Sequence, residues 1–312
     1  MQKPMRRTLL AVGFALEIYC QPCAPSMVTA TATATPAATA TATASPTATA
    51  TVLPRATPTP RPRPTPPPTP AVLYAASGTF GVQGILYTLD PATGAVLTTV
   101  GPLHDAANNP YGLTGLKYDP FTGILYGVTS GQSPTNPSYL AIVDPATALV
   151  TPIGPNGTPS PIVLTDIAID PTTGIMYGIS GFNQKFYIVN TATGLATQTG
   201  STGIGFANGG GFAADMTGAL FGISNFSFYS FNKTSGAATL LGPTNLQNLV
   251  KAADFSPSNV FYGLEGGGGI DNLHLRWLDT CDVTTGTCTR VGQIMVGAIP
   301  VQDLDALAFI PQ

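Results

Sequence analysis

The amino-acid sequence predicts an all-β fold, namely a five-bladed β-propeller that is closed by its C-terminal strand and follows a disordered Thr/Ala/Pro-rich stalk. Three observations predict it. A short aromatic–glycine segment recurs along residues 71–312, further strand-like segments flank each copy, and one such segment is displaced from the first repeat to the C-terminus. These 242 residues divide into five units of about 48 residues, and four strands in a unit of this length are typical of propeller blades.

Residues 1–26 are predicted to be a signal peptide. Basic residues precede an apolar run over residues 8–19, and small residues at 24–26 suit a cleavage site. The run is shorter than the about 20 residues that span a bilayer, but it fits the hydrophobic region of an export signal. We therefore expect a secreted or cell-surface protein, in the extracellular or periplasmic space, without a membrane span.

Residues 27–70 are predicted to be a low-complexity linker. Residues 29–53 are almost entirely Thr and Ala, which bury too little apolar surface to offset the entropy of ordering. Residues 54–70 contain nine prolines, which favour a polyproline II spacer of roughly 50 Å. The propeller domain is then expected over residues 71–312.

Each repeat is predicted to contain four strands, which we call A, B, C and D from the channel outwards. The B strands carry an aromatic residue that is mostly followed by Gly, and the C and D strands form a hairpin. Four A strands precede their B strands, whereas the fifth A segment stands at residues 304–311. Pairing this segment with the first B strand would close the ring and leave no unpaired strand edge where its two ends meet. The B-strand aromatic residues are Tyr74, Tyr126, Tyr177, Phe221 and Tyr262.

The turns between these strands repeat the pattern Asp-Pro-x-Thr-Gly, as in residues 90–94, 119–123 and 170–174. Asp bonds to the backbone N–H groups that follow it, Pro presets φ, and Gly takes the positive φ. The spacing of the Asp residues lacks the dense carboxylate run of a calcium loop. We therefore interpret them as structural turns.

The alternation of segments such as Leu-Tyr-Gly-Val-Thr-Ser at 125–130 and Leu-Tyr-Thr-Leu-Asp-Pro-Ala-Thr-Gly at 86–94 resembles the uncharacterised propeller repeats of bacterial secreted and surface proteins. These repeats are loosely akin to the YVTN group. The resemblance covers residues 71–312. It implies a propeller and an exported location, and it implies no defined chemistry.

Ligand binding is expected on the face of the ring that carries the B–C and D–A connections, since these loops vary while the A–B and C–D turns are uniform. The expected ligand is a carbohydrate or a protein, bound by a monomer without a cofactor or a metal. Nucleic acid is excluded as the main partner, because residues 71–312 hold six basic and fourteen acidic residues. The candidate binding residues are His104, Asn108, Asn109, Asp166, Lys251, Glu265 and His274.

Three alternatives to a binding module remain open at this stage. A glycosidase-like hydrolase would pair Glu265 with Asp105, Asp166, Asp271 or Asp305 at the channel mouth, at carboxyl separations of about 5–10 Å. A metal site would use His104, His274 and Asp side chains, although these come from distant loops without a ligand spacing. The polar loops could also belong to a scaffold that binds nothing. No motif assigns a catalytic residue.

A disulfide is predicted between Cys281 and Cys288. The two residues flank the turn of the last C–D hairpin, where opposed positions meet the Cα separation of about 5.5 Å that a disulfide needs. Export would favour its oxidation.

Overall fold

The structure is a computed structural model that describes residues 70–78, 81–157, 162–206, 209–267 and 274–312. The predicted signal peptide and all of the predicted linker except residue 70 lie outside the described residues.

Five antiparallel four-stranded sheets form a ring, which confirms the five-bladed propeller. Each inner strand contacts the inner strands of both neighbouring blades.

Blade 1 contains β22 (Leu304–Pro311), β1 (Ala71–Ser77), β2 (Ile85–Leu89) and β3 (Val96–Pro102); blade 2 contains β4 (Leu113–Asp119), β5 (Ile124–Thr129), β6 (Tyr139–Val143) and β7 (Val150–Pro155). Blade 3 contains β8 (Asp166–Ile169), β9 (Met176–Ile179), β10 (Lys185–Val189) and β11 (Ala196–Ser201); blade 4 contains β12 (Phe212–Ala214), β13 (Leu220–Ser224), β14 (Ser227–Phe231) and β15 (Ala238–Pro243). Blade 5 contains β16 (Val250–Phe255), β17 (Phe261–Glu265), β18 (Trp277–Cys281) and β19 (Cys288–Gln293), and a small hairpin of β20 (Met295–Val296) and β21 (Ile299–Pro300) follows it.

The ring closes through its two ends, as the sequence predicts. β22 pairs antiparallel with β1, with Val72 opposite Ile310 and Ala76 opposite Ala306. The backbone N–H of Gln312 also donates to the carbonyl of Pro70 at 2.8 Å. The first blade thus takes its inner strand from the C-terminus, so that the edge of β1 is paired as the B strands of the other blades are.

Apolar side chains fill the spaces between neighbouring blades. Tyr177 packs on Phe186 in blade 3, and Phe212 of blade 4 meets Phe186 edge to face with ring centroids 6.2 Å apart. Between blades 4 and 5, Phe228 and Phe261 approach to 4.8 Å. All five of these phenylalanine and tyrosine side chains are buried. Full burial of such a side chain contributes about 1.5–3 kcal/mol, so these layers supply much of the stability of the ring.

The repeated turns adopt the geometry that the sequence predicts. In the first, the Asp90 carboxylate accepts the Ala92 N–H at 2.9 Å and the Thr93 hydroxyl at 2.8 Å. Gly94 takes a φ of 78°, which a side chain would disfavour. The same position in blade 2 is held by Ala148, which adopts a φ of 61° despite its methyl group.

Adjacent blades are joined at the rim by a recurring backbone hydrogen bond. The first residue of a D strand donates to a carbonyl that follows the D strand of the preceding blade, as Val150 does to His104 at 2.7 Å and Cys288 to Thr244 at 2.9 Å. Because each strand is rotated by about 20–25° from its neighbour, the outer strands run along the rim. The C–D turns therefore touch the D–A connections of the preceding blade.

Candidate functional site

The candidate binding residues fall into three separate places in the ring. His104, Asn108 and Asn109 lie in the connection between blades 1 and 2. Asp166 lies at the start of the inner strand of blade 3. Lys251, Glu265 and His274 belong to blade 5 and its B–C connection. The structure therefore gathers three of the seven residues on one blade.

The connection between blades 1 and 2 is held together by its own hydrogen bonds. Asp105 accepts the backbone N–H groups of Ala107 and Asn109 and the Asn109 side-chain amide, each at 2.9 Å. These bonds, the Asn109 side-chain amide first, lower the pKa of the Asp105 carboxyl. The His104 Nδ1 lies 2.9 Å from the Pro102 carbonyl. Asn109 and His104 are thus engaged within the loop, which leaves Asn108, exposed with a φ of 62°, at its tip.

Asp166 ties three inner strands together in the channel wall. Its carboxylate lies 3.3 Å from the Lys117 ammonium of β4 and accepts the Phe212 N–H of β12 at 2.9 Å. Both charged side chains are buried. Burial raises the pKa of Asp166 to about 7 even though Lys117 opposes the rise. This geometry favours a structural role for Asp166 over direct ligand contact.

Glu265 forms part of a carboxyl pair on blade 5. One of its oxygens accepts the N–H groups of Gln247 and Asn248, at 3.2 and 2.9 Å, from the connection between blades 4 and 5. Asp279 of β18 lies against it and is equally buried. Burial first, and the Glu265 charge second, raise the pKa of Asp279 to about 8. Among the described residues, no N–H or hydroxyl donor reaches either oxygen of Asp279, and the neighbouring Glu265 carboxyl favours the protonated form of Asp279.

Arg290 of β19 connects this carboxyl pair to the surface. Its guanidinium forms an ion pair with Glu265 and lies 3.9 Å from the nearer oxygen of Asp279. It also stacks over the half-buried Trp277 ring, 4.6 Å from the ring centroid. The Arg290 side chain is 40 % exposed, whereas both carboxyls are inaccessible. The guanidinium is therefore the part of this group that faces solvent, and the buried carboxyls and Trp277 determine its position.

Asp279, Arg290 and Trp277 are not among the binding residues that the sequence predicts, although a comparison of the repeats position by position singles out the first two. The residue at the position of Glu265 is Ser or Thr in the other blades, and the residue at the position of Asp279 is Tyr or Ala. The residue opposite Asp279 on the D strand is Arg290 in blade 5, and it is uncharged elsewhere. Blade 5 is therefore charged where its four counterparts are not. The uncharged counterparts are Ser77, Thr129, Ser180 and Ser224 for Glu265, Tyr87, Ala141, Tyr187 and Tyr229 for Asp279, and Thr99, Pro152, Gln198 and Leu240 for Arg290.

A second charged group lies where the B–C connection of blade 5 meets the start of β22. The buried Arg276 donates to the Leu304 carbonyl at 2.7 Å and to Asp305 at 3.2 Å. The His274 imidazole lies 2.8 Å from the Asp303 carboxylate. Burial lowers the pKa of Lys251, and the Asp305 charge opposes this. The exposed members are His274, with 48 % of its side chain accessible, and Asp303, with 28 %.

The backbone at this second group is held in a conformation that few residues adopt. His274 and Asp303 both have positive φ, at 56° and 57°. The Asp303 N–H donates to the His274 carbonyl at 3.2 Å, and Leu275 pairs with Gln302 next to them. Such conformations cost free energy and persist where the surroundings impose them. The imidazole and the carboxylate are therefore presented in a fixed arrangement.

The geometry of the carboxyl pair bears on the hydrolase alternative. Glycosidases hold their two carboxyls about 5–10 Å apart, so that a sugar or a water molecule fits between them. Glu265 and Asp279 instead touch and lie beneath Arg290. Within the part of the chain that the structure describes, no three His, Cys, Asp or Glu side chains come together as a metal site. In the same residues, no helix has the length and apolar character needed to cross a membrane.

No protein-family profile matches this sequence, and no curated protein matches it. Among solved structures, a chain of the nidogen/laminin complex is similar at 11 % identity and a TM-score of 0.49, over 77 % of this chain and 97 % of that one. A structural genomics protein of unknown function from Bacteroides thetaiotaomicron matches at 15 % identity and a TM-score of 0.46, over 76 % and 60 %. Hydrazine synthase from Kuenenia stuttgartiensis matches at 12 % identity and a TM-score of 0.39, over 61 % and 49 %.

Proposed function

We propose that the protein is a non-catalytic binding module whose ligand, a carbohydrate or a protein, contacts the loop ends of blade 5. The observation that carries this proposal is the departure of one blade from its four counterparts. Glu265, Asp279 and Arg290 stand where the other blades have uncharged residues. The propeller fold does not require these charges, since the other four blades form without them, whereas a binding site is needed only once.

The exposed groups of blade 5 are held in place by buried partners. Arg290 is positioned by Glu265 and Trp277, and His274 by Asp303. Because these side chains lose little freedom when they meet a ligand, such preorganisation favours affinity. A guanidinium, an imidazole and a carboxylate at one surface suit a ligand that has both hydrogen-bond donors and acceptors, as glycans and protein surfaces do.

We further propose that the protein is exported and displayed outside the cell. Residues 1–26 would direct export and residues 27–70 would hold the propeller away from a surface. The Cys281–Cys288 disulfide and the resemblance to secreted propeller repeats support an oxidising location. Fractionation of the producing cells would test it, because recovery of the protein from the cytosol alone would contradict it.

A binding screen with three matched variants tests the site. The purified chain is applied to a glycan array and to extracellular protein fractions, and the affinity of each bound ligand is then measured for Arg290→Gln, His274→Asn and Lys185→Gln. Asn tolerates the positive φ of His274. Lys185 is the matched control, since it occupies the position of Trp277 in blade 3.

We expect Arg290→Gln to weaken binding about tenfold or more, because a charged contact at the centre of a site is commonly worth 1.5–3 kcal/mol or above. His274→Asn should weaken it less, and Lys185→Gln should leave it unchanged. Unchanged affinity in Arg290→Gln would place the site elsewhere. Turnover of a bound glycan would replace the binding function with the hydrolase alternative.

A further inference from the structure

A cavity of about 110 Å³ opens at the end of the channel that carries the A–B turns, away from the site on blade 5. All five blades contribute to it. Its rim consists of one residue from each blade, namely Pro120, Pro171, Met216, Pro257 and Pro311. A single water molecule needs only about 10–15 Å³ of such space, so the cavity has room for a short carbon chain.

The walls of this cavity are apolar and its floor is charged. Tyr118 and Phe309 are among the wall residues, and Lys117 and Asp254 close the floor. Asp166 lies behind Lys117. When both carboxyls are ionised, Asp166 balances Lys117, and Asp254 carries one negative charge in excess at the floor. The cavity is therefore complementary to an apolar chain that ends in a cation.

Lys117 cannot serve as a donor to a ligand. An ammonium has three N–H groups, and those of Lys117 are used by the Leu116 and Leu307 carbonyls, at 2.9 and 3.2 Å, and by Asp166 at 3.3 Å. The lysine thus joins three blades from inside the channel. An anionic ligand would find the charge of Lys117 but none of its hydrogen bonds.

Asp254, in contrast, retains capacity to accept hydrogen bonds. One of its oxygens accepts the Phe309 N–H at 2.8 Å, and the Phe255 N–H is its other backbone donor. A carboxylate offers about four acceptor sites, so two remain. Burial raises the pKa of Asp254 to about 6, and Lys117 limits the rise, so the group is ionised at pH 8.

We propose that this cavity binds a primary alkylammonium group, presented as a lysine side chain by a partner protein. The four methylene groups of the lysine would lie between the rim, which consists of four prolines and Met216, and the aromatic wall residues. Its ammonium would donate to Asp254. A lysine suits the cavity because its long stem is apolar and only its tip is charged. This inference is independent of the proposed site on blade 5, so either one stands if the other fails.

Two dipeptide-sized probes test it on the full chain, namely Nα-acetyl-lysine-N-methylamide and the norleucine analogue, which lacks the ammonium. Both are titrated at pH 8 while the amide resonance of Phe309 is followed by NMR, since this N–H contacts Asp254 directly. We expect a saturable shift with the lysine probe and at least about tenfold weaker binding of the norleucine probe. Equal binding of the two probes, or no saturation with either, would overturn the proposal. Binding of n-butylammonium without binding of the lysine probe would restrict the site to free amines and refute a protein partner.

A variant and a change of pH locate the interaction on Asp254. Asp254→Asn should weaken binding of the lysine probe about tenfold, whereas Asp90→Asn, in an exposed turn of the rim, should not. The charged groups near Asp254 are Lys117 and Asp166, and protonation of either carboxyl removes negative charge from the floor. Binding to the wild-type chain should therefore weaken from pH 8 to pH 5, a readout that does not require the variant to fold. Unchanged binding in Asp254→Asn, or at pH 5, would overturn the assignment.

Discussion

At the scale of single residues, Asp279 shows how a buried carboxyl acquires an unusual proton affinity. It is surrounded by protein, its nearest polar neighbour is another carboxyl, and the Arg290 guanidinium stays 3.9 Å away. The ionised form would add a second buried negative charge next to Glu265, which is costly in a medium of low polarity. Protonation of Asp279 removes this second charge. The pair therefore carries a single negative charge, which Arg290 balances.

Asp279 should make the folded protein less stable as the pH rises. The folded state keeps its proton up to about pH 8, whereas the unfolded chain releases it near the ordinary Asp pKa of 3.8. The folded state thus binds more protons between these limits, and the free energy of unfolding falls as the pH increases through them. Asp279→Asn removes this term while it retains the shape of the side chain. We expect the variant to gain stability relative to the wild type on going from pH 5 to pH 8.

Urea unfolding at both pH values measures this effect. The wild-type curve also contains Asp166 and Asp254, whose pKa values are raised, so the variant should depend less on pH without losing the dependence entirely. Asp282→Asn is the control, because hydrogen bonds from Thr284 lower the pKa of that exposed carboxyl. If Asp279→Asn kept the full pH dependence of the wild type, the raised pKa of Asp279 would be ruled out.

At the scale of elements, the predicted disulfide joins β18 and β19 across the last C–D hairpin. Cys281 and Cys288 are register partners with Cα atoms 4.0 Å apart, closer than the expected separation of about 5.5 Å. The N–H of Cys288 donates to Thr244 in blade 4, so the two cysteines do not exchange backbone hydrogen bonds. Opposed residues of this kind approach more closely than hydrogen-bonded ones. The same residue therefore takes part in the hairpin and in the joint between blades.

Reduction of this disulfide should cost about 2 kcal/mol, because the bond closes a loop of only eight residues in the unfolded chain. For a domain of this size the melting temperature should fall by about 4–8 °C. Scanning calorimetry with and without a phosphine reductant measures the change, and intact mass after alkylation checks the redox state. A Cys281→Ala, Cys288→Ala double variant should show no response to the reductant. Two alkylated thiols in the untreated protein would disprove the disulfide.

The sequence predicts the strands and turns well because each follows from local chemistry that recurs five times. The β22–β1 closure was also predictable, since only the C-terminal segment could supply the missing A strand. The Glu265–Asp279 pair was not predictable in this way, because the two residues are 14 positions apart in the sequence and meet diagonally across β17 and β18. The backbone hydrogen bonds between adjacent blades at the rim do not follow from the sequence for a different reason. An assignment of loops to the two faces assumes straight strands, whereas the twist of each sheet turns its outer strands along the rim.

At the scale of the whole molecule, β22 connects the ring as well as closing it. Within blade 1 it pairs with β1 along its length. Its Leu307 carbonyl accepts from Lys117 of blade 2, and its Phe309 N–H donates to Asp254 of blade 5. Arg276 of blade 5 holds the Leu304 carbonyl at its start. The last strand of the chain is thus bonded to its own blade and to both neighbours.

Deletion of residues 301–312 should therefore abolish folding instead of loosening one blade. It would remove the inner strand of blade 1, expose the edge of β1, and leave buried Lys117 and Asp254 each without one backbone partner. Unsatisfied buried groups of this kind cost about 1–3 kcal/mol each, and more when they are charged, which is a large part of the stability of a typical domain. We expect the truncated chain to lose its cooperative thermal transition by circular dichroism and to aggregate. Deletion of Gln312 alone is the matched control, since it removes only the bond to Pro70 and should retain the transition. A truncated chain that melted at the wild-type temperature would show that the ring does not depend on its closure.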